Sequence, residues 1–281
     1  MRAIILASGS AANATYLEIG NSKVLIDCGL SYRQLVYRLK ERNKNLDDLS
    51  AIFITHEHAD HIAGLRVLAN KHKMKIVLSE GTFNSLDKRY LGELDKDLFV
   101  ILKPYEAVDM FDFKVLPFAT FHDASEPFGY RFYENDKSLV YITDTGYFPI
   151  KQYDFIRGAD GYIIESNHEV EMLLESSRPW QLKRRILDDE GHLSNEDSAN
   201  LLLNLAGEKT KYIILAHLSR ECNLETLAID TYKKVFFEQG VDISLFKLIA
   251  ARQNEPSEEI IIEWFLPFLF YSQFKLNYNC F

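Results

Sequence analysis

The 281-residue chain has ordinary globular usage, with 47% hydrophobic and 26% charged residues, which excludes a disordered or collagen-like polypeptide. Such a length buries a sizeable core without disulfides, and three scattered cysteines, Cys28, Cys222 and Cys280, exclude a disulfide scaffold or a Cys-rich zinc site and point to a reducing cytosol. With 32 Lys+Arg against 41 Asp+Glu the net charge is −9, which excludes affinity drawn from a broad basic surface but not a local patch that engages nucleic acid.

Taken in chain order, short runs rich in Ile, Val, Tyr and Phe predict strands at Arg2–Leu6, Ala14–Ile19, Lys23–Ile26, Ala51–Thr55, Lys75–Leu78, Phe113–Pro117, Gly129–Tyr133, Leu139–Thr143, Tyr162–Ile164, Tyr212–Ala216 and Ser244–Leu248. Helices are predicted from about Tyr32 to Asn43, Ile62 to Lys71, Pro179 to Leu187, Asn195 to Ala206 and Thr226 to Gln239. Ser31-x-x-Gln34 fits a capping box, and Ser194-x-x-Asp197 fits it loosely. Strands with interspersed helices imply an α/β or α+β layered fold. No Pro/Gly/Ser-rich linker interrupts the chain, so residues 1–263 read as one catalytic domain. Residues 264–281 form an aromatic-rich tail of open role, with Lys275 as its one charged residue. The apolar stretch after Arg2 is five residues, short of the ~7–15 of a signal peptide, and reads as a first strand. No run approaches the ~18 apolar residues of a membrane span, so no membrane partner is expected.

The informative stretch is Thr55-His56-Glu57-His58-Ala59-Asp60-His61, directly after an apolar strand. A strand running into a tight loop presents alternate side chains together, here His56 and His58, with Asp60 and His61 slightly displaced. Imidazole and carboxylate suit zinc, iron or manganese. Four such groups seed two adjacent metal sites, which need further ligands. Asp27, Asp144, Glu165 and His217 each follow or end a predicted strand, as polar residues do at the edge of open α/β sheets. His122 lies in a loop and His192 just before a helix. Asp27 reads either as a strand-end residue or as the partner that orients a ligand histidine. His72, between two lysines, reads as solvated surface.

At these residues the chain resembles the metallo-β-lactamase superfamily, with its His-x-His-x-Asp-His loop and, in order, His122, Asp144 and His217. The resemblance covers residues 1 to about 263. It narrows to the WalJ/YycJ-type bacterial nucleases through Ser8-Gly9-Ser10…Asn13, His122-Asp123-Ala124, Thr143-Asp144-Thr145-Gly146-Tyr147, Glu165-Ser166-Asn167-His168, Gly191-His192-Leu193-Ser194-Asn195 and His217-Leu218-Ser219. Two positions depart from the pattern, Ala12 where Gly is expected and Cys222 where a polar residue is expected. The resemblance implies a four-layer αβ/βα sandwich with its site at one edge of the two sheets. It implies two divalent metal ions, zinc first and manganese second, one on His56, His58 and His122, the other on Asp60, His61 and His217, with Asp144 bridging. Asp60 is also a catalytic candidate. His192, matching a ribonuclease Z motif, would protonate the leaving oxygen. Asp27, Glu165, His168, Ser8 and Asn13 would stand behind the ligands or meet substrate.

Two cations roughly 3.5–4 Å apart lower the pKa of a shared water and stabilise charge on a phosphoryl or carbonyl oxygen. The reading is a binuclear phosphodiesterase using metal-bound hydroxide, and the resemblance implies an exonuclease on DNA, with RNA as the other polymer. The alternative is a small-molecule hydrolase of a cyclic phosphodiester, lactone or thioester. A redox or ligand-binding protein is disfavoured, because redox relatives carry Glu where this chain has His58 and the ligand set is complete. True β-lactamases carry Cys where Asp144 stands. Only 22 positions separate His122 from Asp144 and 48 separate Asp144 from His192, leaving no room for an RNA-closing domain. The basic candidates for substrate phosphates are Arg178, Lys183, Arg184 and Arg185, whose other reading is a solvated helix face.

Overall fold

Alternating apolar residues build two sheets in the computed structural model, which describes residues 1–86 and 94–262. The first sheet holds β1 (Arg2–Ala7), β2 (Ala14–Ile19), β3 (Ser22–Ile26), β4 (Leu49–Phe53), β5 (Lys75–Ser79), β6 (Phe99–Leu102) and β14 (Ile260–Ile261), in the order β14-β1-β2-β3-β4-β5-β6. The second holds β7 (Val108–Met110), β8 (Phe113–Ala119), β9 (Phe128–Glu134), β10 (Lys137–Ile142), β11 (Gly161–Glu165), β12 (Tyr212–Ala216) and β13 (Lys247–Ala250), in the order β13-β12-β11-β10-β9-β8-β7. Strands β3 to β6 are parallel, as are β10 to β13. Parallel neighbours need crossovers, and these supply the helices. They are α1 (Tyr32–Lys40), α2 (Ala59–Ile62), α3 (Leu65–Lys71), α4 (Glu80–Ser85), α5 (Tyr153–Ile156), α6 (Val170–Glu175), α7 (Trp180–Ile186), α8 (Asn195–Leu205) and α9 (Glu225–Glu238).

The period of two along each strand sorts side chains between two cores. Ile5, Leu17, Val24, Ile26 and Phe53 of the first sheet share one cluster with Val115, Tyr130, Phe132, Tyr141 and Ile163 of the second, so the sheets pack face to face. Phe53 meets Tyr130 and Phe132 edge-on at ring-centroid distances of 5.3 and 5.1 Å. The alternate residues Ile4, Leu6, Leu25, Ile52 and Ile76 pack beneath Leu35, Leu39, Leu65 and Leu68 of α1 and α3. On the outer face of the second sheet, Val140, Ile142, Tyr162, Ile213 and Leu215 meet Leu202 and Leu205 of α8 and Tyr232 and Phe236 of α9. Helix, sheet, sheet and helix are the four layers of the expected sandwich.

Ser31 caps α1 with the full box to Gln34, and Ser194 caps α8 through the Asp197 N–H. Several predicted elements change. The helix expected over 62–71 is two, Ala59–Ile62 and Leu65–Lys71, separated at Gly64. There the backbone N–H bonds to the Cys28 carbonyl, and a Cβ would fall 2.1 Å from the Leu30 carbonyl oxygen. The strand expected over 244–248 begins only at Lys247, because Asp242 accepts from the Ser244 N–H and tightens 243–245 into a 3-10 turn. The strand expected over 51–55 ends at Phe53, where the metal-motif loop begins. Strands β6, β7 and β14 and helices α4, α5 and α6 were not foreseen; each has two to six residues, too few for a period to register. His72 is half-buried rather than solvated, stacked on Tyr32 and bonded to its hydroxyl at 3.0 Å. The aromatic tail lies outside the described residues. Among the described residues no helix is long and apolar enough to cross a membrane.

Candidate metal centre

The chemistry-bearing residues gather where parallel strands stop. Asp27 follows β3, the Thr55–His61 loop follows β4, Asp144 lies two residues past β10, Glu165 ends β11 and His217 follows β12. Asp27, Asp144 and His217 all have left-handed backbones, with φ of 61°, 56° and 56°. That conformation costs a residue with a Cβ about 1–2 kcal/mol. Its recurrence at three strand ends is the backbone strain expected of a functional site.

The ligand atoms of His56, His58 and His122 lie within 4.8 Å of one another, as do those of Asp60, His61 and His217. Asp144 stands between the groups. Its Oδ2 is 3.4 Å from His61 Nε2, and its Oδ1 is 3.4 Å from His217 Nε2 and 3.8 Å from His122 Nε2. The outward nitrogens of four of the five histidines have partners. His61 Nδ1 donates to Asp27 Oδ2 at 2.8 Å, and His217 Nδ1 to Glu165 Oε1 at 2.9 Å. His122 Nδ1 faces the Glu190 and Gly191 carbonyls at 3.1 Å each, and His56 Nδ1 lies 3.0 Å from Thr55 Oγ1. Donation from Nδ1 leaves Nε2 with its lone pair turned inward, the tautomer a metal ligand requires. His56 Nε2, His217 Nε2 and Asp144 Oδ2 are buried with no hydrogen-bond partner. Unpaired buried polar atoms cost about 1–3 kcal/mol each. Divalent cations would satisfy all three, and the N/O donor set suits zinc or manganese.

The electrostatics agree with a site built for positive charge. Burial would raise the Asp60 carboxyl, but His61 and His217 override it and hold it far below the carboxylate range. Asp144 is lowered likewise, burial being outweighed by His217, His61 and His122. Burial opposes a proton on His217, yet Asp144, Asp60 and Glu165 push its pKa up to about 10. Burial and neighbouring imidazoles instead push His56 well down. The carboxylates thus demand cationic charge around Asp60, Asp144 and His217, while burial disfavours protons on His56 and His122.

His192 Nδ1 donates to Glu165 Oε1 at 2.8 Å and lies 3.8 Å from Asp144 Oδ1. One carboxylate oxygen of Glu165 therefore holds two imidazoles, those of His192 and His217. Ser8 Oγ accepts from the His217 N–H at 2.7 Å. Asn13 Nδ2 donates to Asp60 Oδ2 at 3.0 Å, and its Oδ1 accepts from the Gly9 N–H. His168 is buried, with a pKa lowered to about 4 by that burial, and it joins none of the ligand groups. Lys183 does not join the basic candidates at the surface. It is buried, and its Nζ donates to the Leu174 and Ser176 carbonyls at 2.7 Å each, tying the end of α6 to α7. Arg184 and Arg185 are exposed. Sequence reasoning passed over four residues. Thr55 Oγ1 touches Asp27, His56 and His61. Glu57 Oε1 accepts from the Ser125 N–H and hydroxyl at 2.8 Å each, joining the two loops that carry the histidines. Asn167 Nδ2 bonds the His217 carbonyl at 2.9 Å, and Asp123 binds Arg185. Position inside the motifs was their only signal.

Backbone proximity shapes the same loop. The Asn13 N–H bonds to the Asp60 carbonyl and the Gly29 N–H to the Asn13 carbonyl, each at 2.8 Å, and a Cβ on Gly29 would fall 1.6 Å from the Asp60 carbonyl oxygen. Gly29→Ala is expected to displace the Asp60–His61 turn, lowering stability by about 1–3 kcal/mol and reducing bound metal. Thermal unfolding and elemental analysis check both.

A sequence model of the beta-lactamase superfamily domain matches residues 22–218. The chain is 45% identical over 247 residues to the exodeoxyribonuclease WalJ of Streptococcus pneumoniae serotype 2 (strain D39), covering 86% of this chain and 92% of that protein. It is 39% identical over 239 residues to the exodeoxyribonuclease YycJ of Bacillus anthracis, covering 85% and 90%. The metallo-β-lactamase fold protein YhfI of Bacillus subtilis superposes with a TM-score of 0.68 at 15% identity, covering 91% of this chain and 98% of that one. The chain therefore belongs to the metallo-β-lactamase superfamily of metal-dependent hydrolases and, within it, to the WalJ/YycJ type.

Proposed function

We propose that the chain is a binuclear metal-dependent nuclease that removes nucleotides from the ends of DNA. Support for DNA comes from the two relatives named as exodeoxyribonucleases. Support for phosphodiester chemistry comes from one observation above all, the His192 imidazole held by Glu165 beside Asp144.

His56, His58 and His122 would hold one ion, Asp60, His61 and His217 the other, and Asp144 would be shared, with zinc favoured and manganese the alternative. The ions supply an activated water and charge stabilisation on the phosphoryl oxygens. The chain's own groups do the rest. Asp27, Glu165, Thr55 and the 190–191 carbonyls hold the imidazoles in register. Asp60, kept anionic far below the carboxylate range, is a poor proton acceptor and orients the attacking water rather than taking its proton. Glu165 accepts from His192 Nδ1, so that in the doubly protonated ring Nε2 carries the proton given to the leaving sugar oxygen.

The test is a panel on metal-reconstituted protein: end-labelled single- and double-stranded DNA and RNA beside a cyclic phosphodiester, a lactone and a thioester. Mononucleotide release from labelled DNA is the expected result. Turnover of the cyclic phosphodiester, lactone or thioester with no cleavage of any nucleic acid would replace the nuclease by a small-molecule hydrolase.

A further inference from the structure

Asp123 is the residue after His122, and its carboxylate faces two ways. Oδ1 lies 3.3 Å from His122 Nε2 and 4.0 Å from His58 Nε2, so it sits at the rim of the all-histidine group. Oδ2 accepts from Arg185 Nε at 2.5 Å. The carboxylate is not free to wander. Its backbone N–H bonds to the Glu190 carbonyl at 3.2 Å, and two residues on Ser125 is clamped by Glu57. Arg185 is 53% exposed in its side chain. Its two terminal amino groups have no hydrogen-bond partner among the described residues, Nε alone being engaged. Arg178, at the other end of the same segment, is committed on its Nε to Glu221 and reaches Ser219 Oγ. Lys183 is buried under α6.

We infer that Arg185, positioned by Asp123, is a substrate-binding residue whose open guanidinium fork receives a phosphate of the strand next to the scissile one. The inference rests on the nuclease reading and specifies how the strand is held. Two planar N–H donors match two non-bridging phosphate oxygens, a fit that a lysine lacks and a lactone or thioester does not offer. Engagement of Nε by a fixed carboxylate removes most of the side chain's freedom before substrate arrives, so less is lost on binding. Arg185 also neutralises Asp123. Without it, a carboxylate at the rim of the histidine group would face the incoming phosphate and repel it. Asp123 is thus a positioning residue with a latent cost that Arg185 masks, and the two positions are coupled.

The coupling makes the test. The metal-loaded parent, Arg185→Ala, Arg185→Lys, Asp123→Ala and the double variant are titrated with fluorescent phosphorothioate oligothymidylate across a salt series. KM and kcat are measured on ordinary oligothymidylate, and elemental analysis confirms equal metal content. Arg185→Ala is expected to weaken binding roughly 10–100-fold at low salt and to reduce the salt slope by about one counterion. The loss should fall on KM more than on kcat. Arg185→Lys should keep the slope and recover only part of the affinity. Adding Asp123→Ala to Arg185→Ala should win back part of the lost affinity, which a merely structural ion pair would not do. Parent-like binding by Arg185→Ala at every salt concentration overturns the inference, and so does a double variant that binds more weakly than Arg185→Ala. A parent that neither binds nor cleaves any oligonucleotide defeats the nuclease reading. With no strand bound there is no neighbouring phosphate for Arg185 to receive, so that outcome overturns its role as well.

Discussion

Asp144→Ala is expected to cost the protein about one of the two metal equivalents proposed for it and to lower kcat by roughly 10³-fold or more. The side chain is buried, and its oxygens reach His61, His217 and His122 at 3.4, 3.4 and 3.8 Å. Among the described residues no other carboxylate lies within 4 Å of all three. Alanine there leaves His217 without the anion that most favours positive charge beside it and removes one of three that act on His61. A metal centre contributes several kcal/mol of transition-state charge stabilisation, and each 1.4 kcal/mol is tenfold in rate, which sets the scale of the loss. Elemental analysis after gentle purification, paired with oligonucleotide cleavage, reads both effects. Retention of both metals with full activity would remove Asp144 from the centre. Asp144→Asn keeps an oxygen in place without its charge and is expected to fall between parent and alanine variant.

His192→Ala separates chemistry from metal binding. The imidazole is oriented by Glu165, whose Oε1 has two imidazole partners and keeps His217 when His192 is gone. Metal content should therefore stay at the parent value. If Nε2 protonates the leaving oxygen, kcat on DNA should fall by roughly 10²–10⁴, with KM nearly unchanged. The loss should shrink on an activated aryl phosphodiester, whose leaving group departs without a proton. Equal losses on both substrates, or a missing metal, would make His192 a ligand or a structural residue.

The two effects differ in how they could be anticipated. The ligand loop was legible because its four groups lie within six residues, so local geometry alone brings them together. Asp27, Asp144 and His217 were legible as polar residues at the ends of apolar strands. Their common location needed the further fact that β3 to β6 and β10 to β13 run parallel and deliver those ends to one edge. Most strands and helices followed from their apolar period, while their stacking in four layers was implied by the family resemblance.

Other features depend on atoms far apart in the chain. Lys183 looks like its neighbours Arg184 and Arg185 in the sequence, yet it is buried because α6 presents two open carbonyls, those of Leu174 and Ser176, at the spot its Nζ reaches. Arg185 is set apart from Arg184 by Asp123, 62 residues away. Gly64 breaks a helix that its own segment would continue, because the backbone of residues 28–30 passes too close for a Cβ. The directions of the His61, His217 and His122 imidazoles are chosen by partners from distant segments, Asp27, Glu165 and the 190–191 carbonyls. The sequence by itself determined most of the strands and the loop of candidate metal ligands, since these follow from local periodicity and spacing. Only the tertiary structure decided which nitrogen faces the centre, which cation is buried and which stands open to a phosphate, because burial and hydrogen-bond partnership are properties of the packed chain.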